Sequence, residues 1–269
     1  MILIVASNKD PASLNIAKHI LRIYPFAPTA EKSSYIYEHG ERKVKLVILD
    51  CEPVYTQDIA DKYKSLELVV FVSRHSSTSG TPTLSVHTPG NFGEAALGGI
   101  PGKVSIAPAN AMMRALKIMA KLVSKRNLSY DVSYECTHHG PSLDSPAMFA
   151  ELGSTPKEWE DSEAAEVVAH AAMEAAIGYC SKTAVALGIG GPHYNGKFTR
   201  MTLEDDVAFG HIIPKYAIPH VDESILKQCV DRTLEKVEFA VLDWKGIKGE
   251  DKHKIVKIIE KIGLQFKKV

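Results

Sequence analysis

Two adjacent histidines, His138 and His139, stand in Tyr134-Glu-Cys-Thr-His-His-Gly-Pro141, where an alternating, strand-like run stops at a Gly-Pro break. The carboxylate of Glu135 and the thiol of Cys136 fall beside them. Imidazole and carboxylate donors suit zinc or iron. Neighbours on an extended strand point to opposite faces. Both histidines can therefore serve one ion only if the break turns the chain. Otherwise one faces a ligand and the other supports it, with Asp144 or Glu151 placed to orient a ligating ring by hydrogen bonding.

Two more clusters sit at the ends of apolar runs. Ser73-Arg-His-Ser-Ser77 follows the very apolar run ending at Val72. Backbone N–H groups, the hydroxyls of Ser76 and Ser77 and the guanidinium of Arg74 would suit a carboxylate, a phosphate or a developing oxyanion. His75 fits a base or a metal ligand, and His87 is a further candidate. In Gly188-Ile-Gly-Gly-Pro-His-Tyr194 the glycines let backbone approach a ligand closely. There His193 fits a ligand or base, with the Tyr194 hydroxyl as its partner. This is not a dinucleotide fingerprint, because the glycines lead to a loop and lack the spacing. The bland alternatives are strand-end histidines bonded to backbone, a flexible Ser/Thr loop and a tight turn. His211, in an apolar run, reads as a core histidine.

No GxSxG elbow, Walker loop, HExxH helix or zinc-deaminase pattern occurs in the chain. What remains is a His-rich, metal-assisted hydrolytic site, placed where open α/β sheets put their chemistry, at strand ends.

The positioning elements follow from hydrophobic pattern. Strands are expected at 2–7, 44–50, 66–73, 103–107, 130–137, 183–189, 208–214 and 238–242, mostly without strict alternation, as in sheets covered on both faces. Helices are expected at 11–24, 52–64, 110–126, 156–180, 222–235 and 251–262. Asp10-Pro11 and Thr155-Pro-Lys-Glu158 are good helix starts. Alternating strands and helices predict a three-layer α/β/α sandwich around a mixed, mostly parallel sheet. The run at 208–214 follows a loop, so an antiparallel strand is allowed there. The whole of 1–269 reads as a single α/β domain with two long functional loops, at about 74–102 and 140–156.

Bulk properties exclude other classes. Lys plus Arg equals Asp plus Glu at 32 each, so no overall basicity advertises nucleic acid. The four cysteines are scattered without CxxC pairing, which argues for a reducing cytoplasm. The N-terminus reads as a first strand rather than a signal peptide, and no apolar run approaches membrane-spanning length. Charge is nevertheless segregated. Arg114, Lys117, Lys121 and Lys125 form one helical stripe, and 135–174 holds nine acids against one lysine. The stripe reads either as a solvated face or as a phosphate-tracking surface.

Taken together, Ser73-Arg-His-Ser-Ser, Leu84-Ser-Val-His-Thr-Pro-Gly-Asn91, Glu135-Cys-Thr-His-His-Gly-Pro141, Glu151-Leu-Gly-Ser-Thr-Pro-Lys-Glu-Trp159, Gly188-Ile-Gly-Gly-Pro-His-Tyr194 and Gly210-His-Ile resemble the D-aminoacyl-tRNA deacylases of the archaeal and plant type, in order over nearly the whole chain. The resemblance implies hydrolysis of the ester between a D-amino acid, such as D-tyrosine, and tRNA. It also implies zinc, as two ions per subunit, a monomer, and a phosphorylase/hydrolase-like fold with kinship to peptidyl-tRNA hydrolase. It supplies no ligand set, so the roles follow from the residues. The expected metal ligands are His138, His139 and His193. Expected in catalysis are His75, Glu135 and Arg74. Substrate would meet Ser76, Ser77 and Tyr194, with Arg114, Lys117 and Lys121 holding acceptor-stem phosphates. The competing readings are a peptidyl-tRNA hydrolase-like or nucleoside phosphorylase-like enzyme, and a non-catalytic tRNA-binding protein.

Overall fold

The computed structural model describes residues 1–63, 65–178 and 183–269. Its first half runs β1 (Ile2–Ser7), α1 (Pro11–Ile23), β2 (Ala27–Pro28), β3 (Ser34–His39), β4 (Arg42–Leu49), β5 (Leu68–Arg74), β6 (Thr83–His87), α2 (Ala109–Arg126), β7 (Asp131–Tyr134) and β8 (Ala147–Gly153). There follow α3 (Pro156–Trp159), α4 (Ser162–Ile177), β9 (Val185–Ile189), α5 (Gly196–Asp205), β10 (Ala208–Ile213), α6 (Glu223–Asp231), β11 (Phe239–Leu242), α7 (Gly249–Lys261) and β12 (Gln265–Lys268).

The expected mixed, mostly parallel α/β architecture is present. Eight strands form one sheet in the order β2-β3-β4-β1-β5-β8-β6-β7, and four form a second in the order β10-β9-β11-β12. Among the described strands, antiparallel ladders are confined to β2–β3, β3–β4 and β6–β8. The run at Ala208–Ile213 is parallel to β9, with α5 as its crossover. Asn195 starts that helix by accepting from Phe198 N at 3.0 Å, a cap concealed in what reads as a loop. Buried side chains of α1, α2 and α4 pack on one face of the large sheet.

Two of its central strands lie inside the stretches expected to be irregular. β6 is a five-residue segment between prolines, and β8 reads Ala-Met-Phe-Ala-Glu-Leu-Gly, poor in strand formers. Position overrides propensity: β8 is inserted between β5 and β6, buried at every residue. The segment 103–107 makes only isolated bridges, as at Gly90–Val104 and Ile106–Pro146.

Residues expected to form a helix from 52 form two short 3-10 turns, Pro53–Tyr55 and Ile59–Lys62, with Lys64 outside the described residues. The Thr56 hydroxyl donates to Pro53 O at 2.6 Å and competes with the helical ladder. The helix expected over 156–180 divides at Asp161, whose carboxylate caps Glu163 N and Ala164 N and starts α4 afresh. Cys180 lies outside the described residues.

The sheets are stitched together by the chain leaving β7. Cys136 N donates to His193 O at 2.9 Å, Thr137 N to Ile212 O at 2.9 Å, and Asn195 N to Tyr134 O at 2.9 Å. Three of the motifs singled out in the sequence meet along this seam.

Candidate active site at the seam of the two sheets

The Gly-Pro break does turn the chain. His139 takes a left-handed φ of 42°, and the His138 and His139 rings end 4.3 Å apart, lining the same cavity of about 450 Å³. Each is fixed by its other nitrogen. His138 Nδ1 donates to Cys136 O at 2.8 Å and His139 Nδ1 to Gly140 O at 2.7 Å. Both Nε2 atoms are thereby left as acceptors, the tautomer that coordinates a metal. Burial, and after it the neighbouring His87 ring, disfavours their charged forms, lowering His139 to about 4 and His138 well below its ordinary value.

His87, at the end of β6, completes this cluster. Its ring centroid lies 4.2 Å from that of His138 and 4.8 Å from that of His139. Its other face stacks on Phe149 at 5.0 Å. Neither of its ring nitrogens has a hydrogen-bond partner, although its side chain is fully buried. A buried imidazole without a hydrogen bond at either nitrogen is expensive, even with Glu151 Oε1 3.8 Å from its Nε2. Three imidazoles with ligand atoms mutually within 4.8 Å would relieve that expense around a cation.

Beside the imidazoles lie two buried carboxylates. Glu151 stands in mid-strand on β8, in register with Ser73 on β5 and Ser85 on β6. It accepts from Ser73 Oγ at 2.7 Å. Glu135 reaches it through His75, whose Nδ1 is 3.1 Å from Glu135 Oε1 and 3.5 Å from Glu151 Oε2. The 3.1 Å approach lacks hydrogen-bond geometry, which leaves Glu135 Oε1 without a formal partner. Burial works against a charged His75, but the two carboxylates outweigh it and hold the imidazolium up to about 11. Burial likewise opposes ionised Glu135 and Glu151, yet the surrounding imidazoles keep both below the ordinary carboxylate range. The other face of His75 meets Tyr194, whose Oη is 2.5 Å from Nε2.

His193 joins Glu135 from the second sheet, Nε2 to Oε2 at 2.8 Å. Its Nδ1 lies 3.2 Å from Cys136 Sγ and 3.0 Å from Tyr216 Oη. Hence His193, expected beside His138 as a ligand, is engaged at both nitrogens. It shares the cavity with His138, ring centroids 4.5 Å apart.

The Ser/Thr loop is held down by the capped turn of α3. Thr155 and Glu158 form the expected capping box, and Trp159 Nε1 donates to His75 O at 2.8 Å. At Gly153 a Cβ would come within 2.5 Å of that same carbonyl, so only glycine lets the two segments close. Arg74 lines the cavity but is braced on Glu52 at 3.0 Å, and its backbone N–H donates to Asp10 Oδ2 at 2.7 Å. Ser76 lines the cavity, whereas the Ser77 hydroxyl turns to Ser79 Oγ at 3.0 Å. Glu151, one of the two acids expected to orient a ligating ring, lies beside His75 and His87, whereas Asp144 pairs with Lys103 and Arg232; Asp10, Glu52, Cys136 and Tyr216 stand outside the residues given a role from sequence. Glu151 had a legible signal, as the acid opening a motif that ends in a helix cap.

The basic stripe of α2 is not at the cavity. Arg114 donates to the carbonyls of Glu174 and Ala175 at 3.2 and 2.8 Å, and Lys117 pairs with Asp206. Lys121 is exposed. His211 is satisfied in the core by Thr137 and Arg232 O. No helix among the described residues is long and apolar enough to cross a membrane.

Comparison with known proteins gives a consistent result. The sequence profile of the D-aminoacyl-tRNA deacylase family matches residues 62–267. A D-aminoacyl-tRNA deacylase of Methanosarcina mazei is 38% identical, over 99% of this chain and 92% of its own. One from Pyrococcus abyssi is 38% identical over 99% of both chains. A crystal structure of a conserved protein of unknown function superposes with a TM-score of 0.89 at 31% identity, covering 100% of this chain and 95% of its own.

Proposed function

The chain belongs to the D-aminoacyl-tRNA deacylase family, and from that premise we propose how its seam cluster performs the reaction. The protein hydrolyses D-aminoacyl-tRNA, freeing the D-amino acid and the tRNA. We take D-tyrosyl-tRNA as a substrate and zinc as the cofactor.

The observation that supports the metal is His87, buried with both ring nitrogens unmet. We assign His87, His138 and His139 as its ligands. Two alternative donor groups, Cys136 with His138 and His193, and His75 with Glu135 and Glu151, would suit a second ion. His138 has one free lone pair, so the two His138-containing groups cannot both be filled. A zinc ion supplies Lewis acidity to a water and to the ester carbonyl.

The remaining roles belong to the chain. Glu135 Oε1, buried and without a formal partner, orients the attacking water and takes its proton. The cationic His75 and the Tyr194 hydroxyl at 2.5 Å form a donor pair for the departing ribose oxygen. Of the roles open to His75, which sequence reads as a base or a ligand, we favour that of a proton donor in its cationic form. The Ser76 backbone faces the developing oxyanion. Arg74 braces Asp10 and Glu52, whose carboxylates face the substrate ammonium. Val54, Tyr55 and Leu97 at the rim receive the amino-acid side chain. Lys117 and Lys121 are left as peripheral contacts to the acceptor stem. We take the protein to act as a monomer, and a tRNA substrate suits the cytoplasm.

The test pairs a metal analysis of the purified protein with deacylation of D-Tyr-tRNA and L-Tyr-tRNA. We expect zinc in the protein and rapid loss of the D-ester with the L-ester spared. A preference for N-blocked peptidyl-tRNA would favour a peptidyl-tRNA hydrolase instead, and binding of charged tRNA without hydrolysis would favour a binding module.

A further inference from the structure

His138 and His139 line two cavities. Besides the carboxylate-rich one, they form part of the wall of a second, of about 560 Å³. Much of the rest of that wall comes from the segment from Gly90 to Glu94 and from Tyr216, Ala217 and His220 on another. The first segment is locked to the histidines: Gly90 N donates to His139 O at 2.7 Å. A Cβ at Gly90 would fall 2.5 Å from Val104 Cα, so the wall is close-packed behind. Tyr216 is 54% exposed, yet its hydroxyl is held 3.2 Å from Cys136 Sγ and 3.0 Å from His193 Nδ1. Its ring therefore stands at the edge of the reacting centre with a face available.

The cavities differ in chemistry. The first carries four carboxylates, Asp10, Glu52, Glu135 and Glu151. The second carries one, the exposed Glu94; both offer aromatic rings, Phe92 and Tyr216 here and Tyr55, Phe149 and Tyr194 in the first. The two arms of an aminoacyl-tRNA ester differ in the same sense. One carries an ammonium. The other is a neutral, planar adenine nucleoside followed by a chain of phosphates.

Resting on the deacylase reading, we propose that the second cavity is the binding site for the 3′-terminal adenosine of tRNA, with Tyr216 as its stacking platform. The reverse arrangement would drive the phosphates onto the four carboxylates of the first cavity. Charge beyond the cavity agrees. Exposed Lys215 precedes Tyr216. Lys254 of α7 donates to Pro219 O at 2.9 Å, docking the helix beside His220. From Lys245 onward the chain has eight lysines against three acids. Lys215 and Lys254 therefore offer cationic contacts near the rim for phosphates leaving this cavity.

The test uses full-length protein and D-Tyr-tRNA hydrolysis, with adenosine and cytidine as inhibitors of wild type, Tyr216→Ala and Tyr216→Phe. Adenosine should compete with substrate, and cytidine should be markedly weaker. Tyr216→Ala should raise KM and the adenosine inhibition constant together, by about tenfold, as expected for loss of one base-stacking ring. Tyr216→Phe, which keeps the ring and loses the hydroxyl, should restore both. Inhibition by free D-tyrosine should not change. If wild type is indifferent to adenosine, or if Tyr216→Ala alters kcat alone, the subsite is wrong. The wild-type competition needs no variant to fold. Wild type that hydrolyses D-Tyr-tRNA yet ignores adenosine keeps the deacylase reading and loses the subsite. Absence of D-specific hydrolysis removes the reading itself.

Discussion

The Nε2 of His193 lies 2.8 Å from Oε2 of Glu135, although the two residues follow strands of different sheets. One buried carboxylate thus joins the loop after β9 to the chain leaving β7. Through His75 it also reaches Glu151 on β8, so charge at Glu135 governs the protonation of its neighbours.

Glu135→Gln should lower kcat by about 10²–10³-fold, the range for loss of a positioned acid–base group, with the fold retained. It should also change how metal-free protein responds to pH. His193 is held up to about 10: burial opposes this, but Cys136 and Glu135 outweigh it. A histidine raised in the folded state stabilises fully below its unfolded pKa, and the gain is lost as pH rises through the folded value. The Tm of chelated wild type should therefore fall between about pH 6.5 and 10. Glu135→Gln should flatten that slope in a thermal-melt series, and an unchanged slope would remove the coupling.

His87→Ala should abolish stoichiometric zinc binding, read by elemental analysis, and activity should fall with it. His87→Phe separates the roles, since it keeps a ring against Phe149 but no ligand. It should melt at or above the temperature of metal-free wild type and still bind no zinc. Full zinc in either variant would shift the ion to another donor group.

Cys136, His193 and Glu135 are arranged as a thiol–imidazole–carboxylate series, with Cys136 Sγ 3.2 Å from His193 Nδ1. Such geometry could serve a cysteine nucleophile. A water mechanism predicts that Cys136→Ser keeps activity within about tenfold and that no acyl-protein accumulates in quenched-flow mass spectrometry. A trapped D-aminoacyl adduct on Cys136 would replace water with the thiol.

Lys215→Glu should weaken tRNA binding more than Lys117→Glu/Lys121→Glu does. Lys215 is exposed and adjoins Tyr216 of the second cavity, whereas Lys117 is already paired with Asp206. Measured against salt, Lys215→Glu should reduce the slope of log K on log salt by about one phosphate contact. The reverse ranking would return the acceptor stem to the α2 face.

Sequence alone determined the types of chemistry and their punctuation. The break after His139, the serine-rich loop after β5, the glycine turn before His193 and the capping box at Thr155 each depend on local rules of backbone freedom and hydrogen bonding, which neighbours in sequence satisfy. His138, His139, His75, Glu135 and His193 were legible for that reason. Only tertiary structure decided which of them meet. β6 and β8 are strands because the sheet surrounds them, not because Thr83–His87 or Ala147–Gly153 strongly prefer to be extended, and their pairing buries His87 and Glu151, which sequence alone places in loops, beside the candidate site. The stripe on α2 shows the converse. Its periodicity is local and correct, but Arg114 and Lys117 are engaged by Ala175 and Asp206, partners far away in sequence. Spacing along a chain fixes which side chains share a face; what that face touches depends on packing.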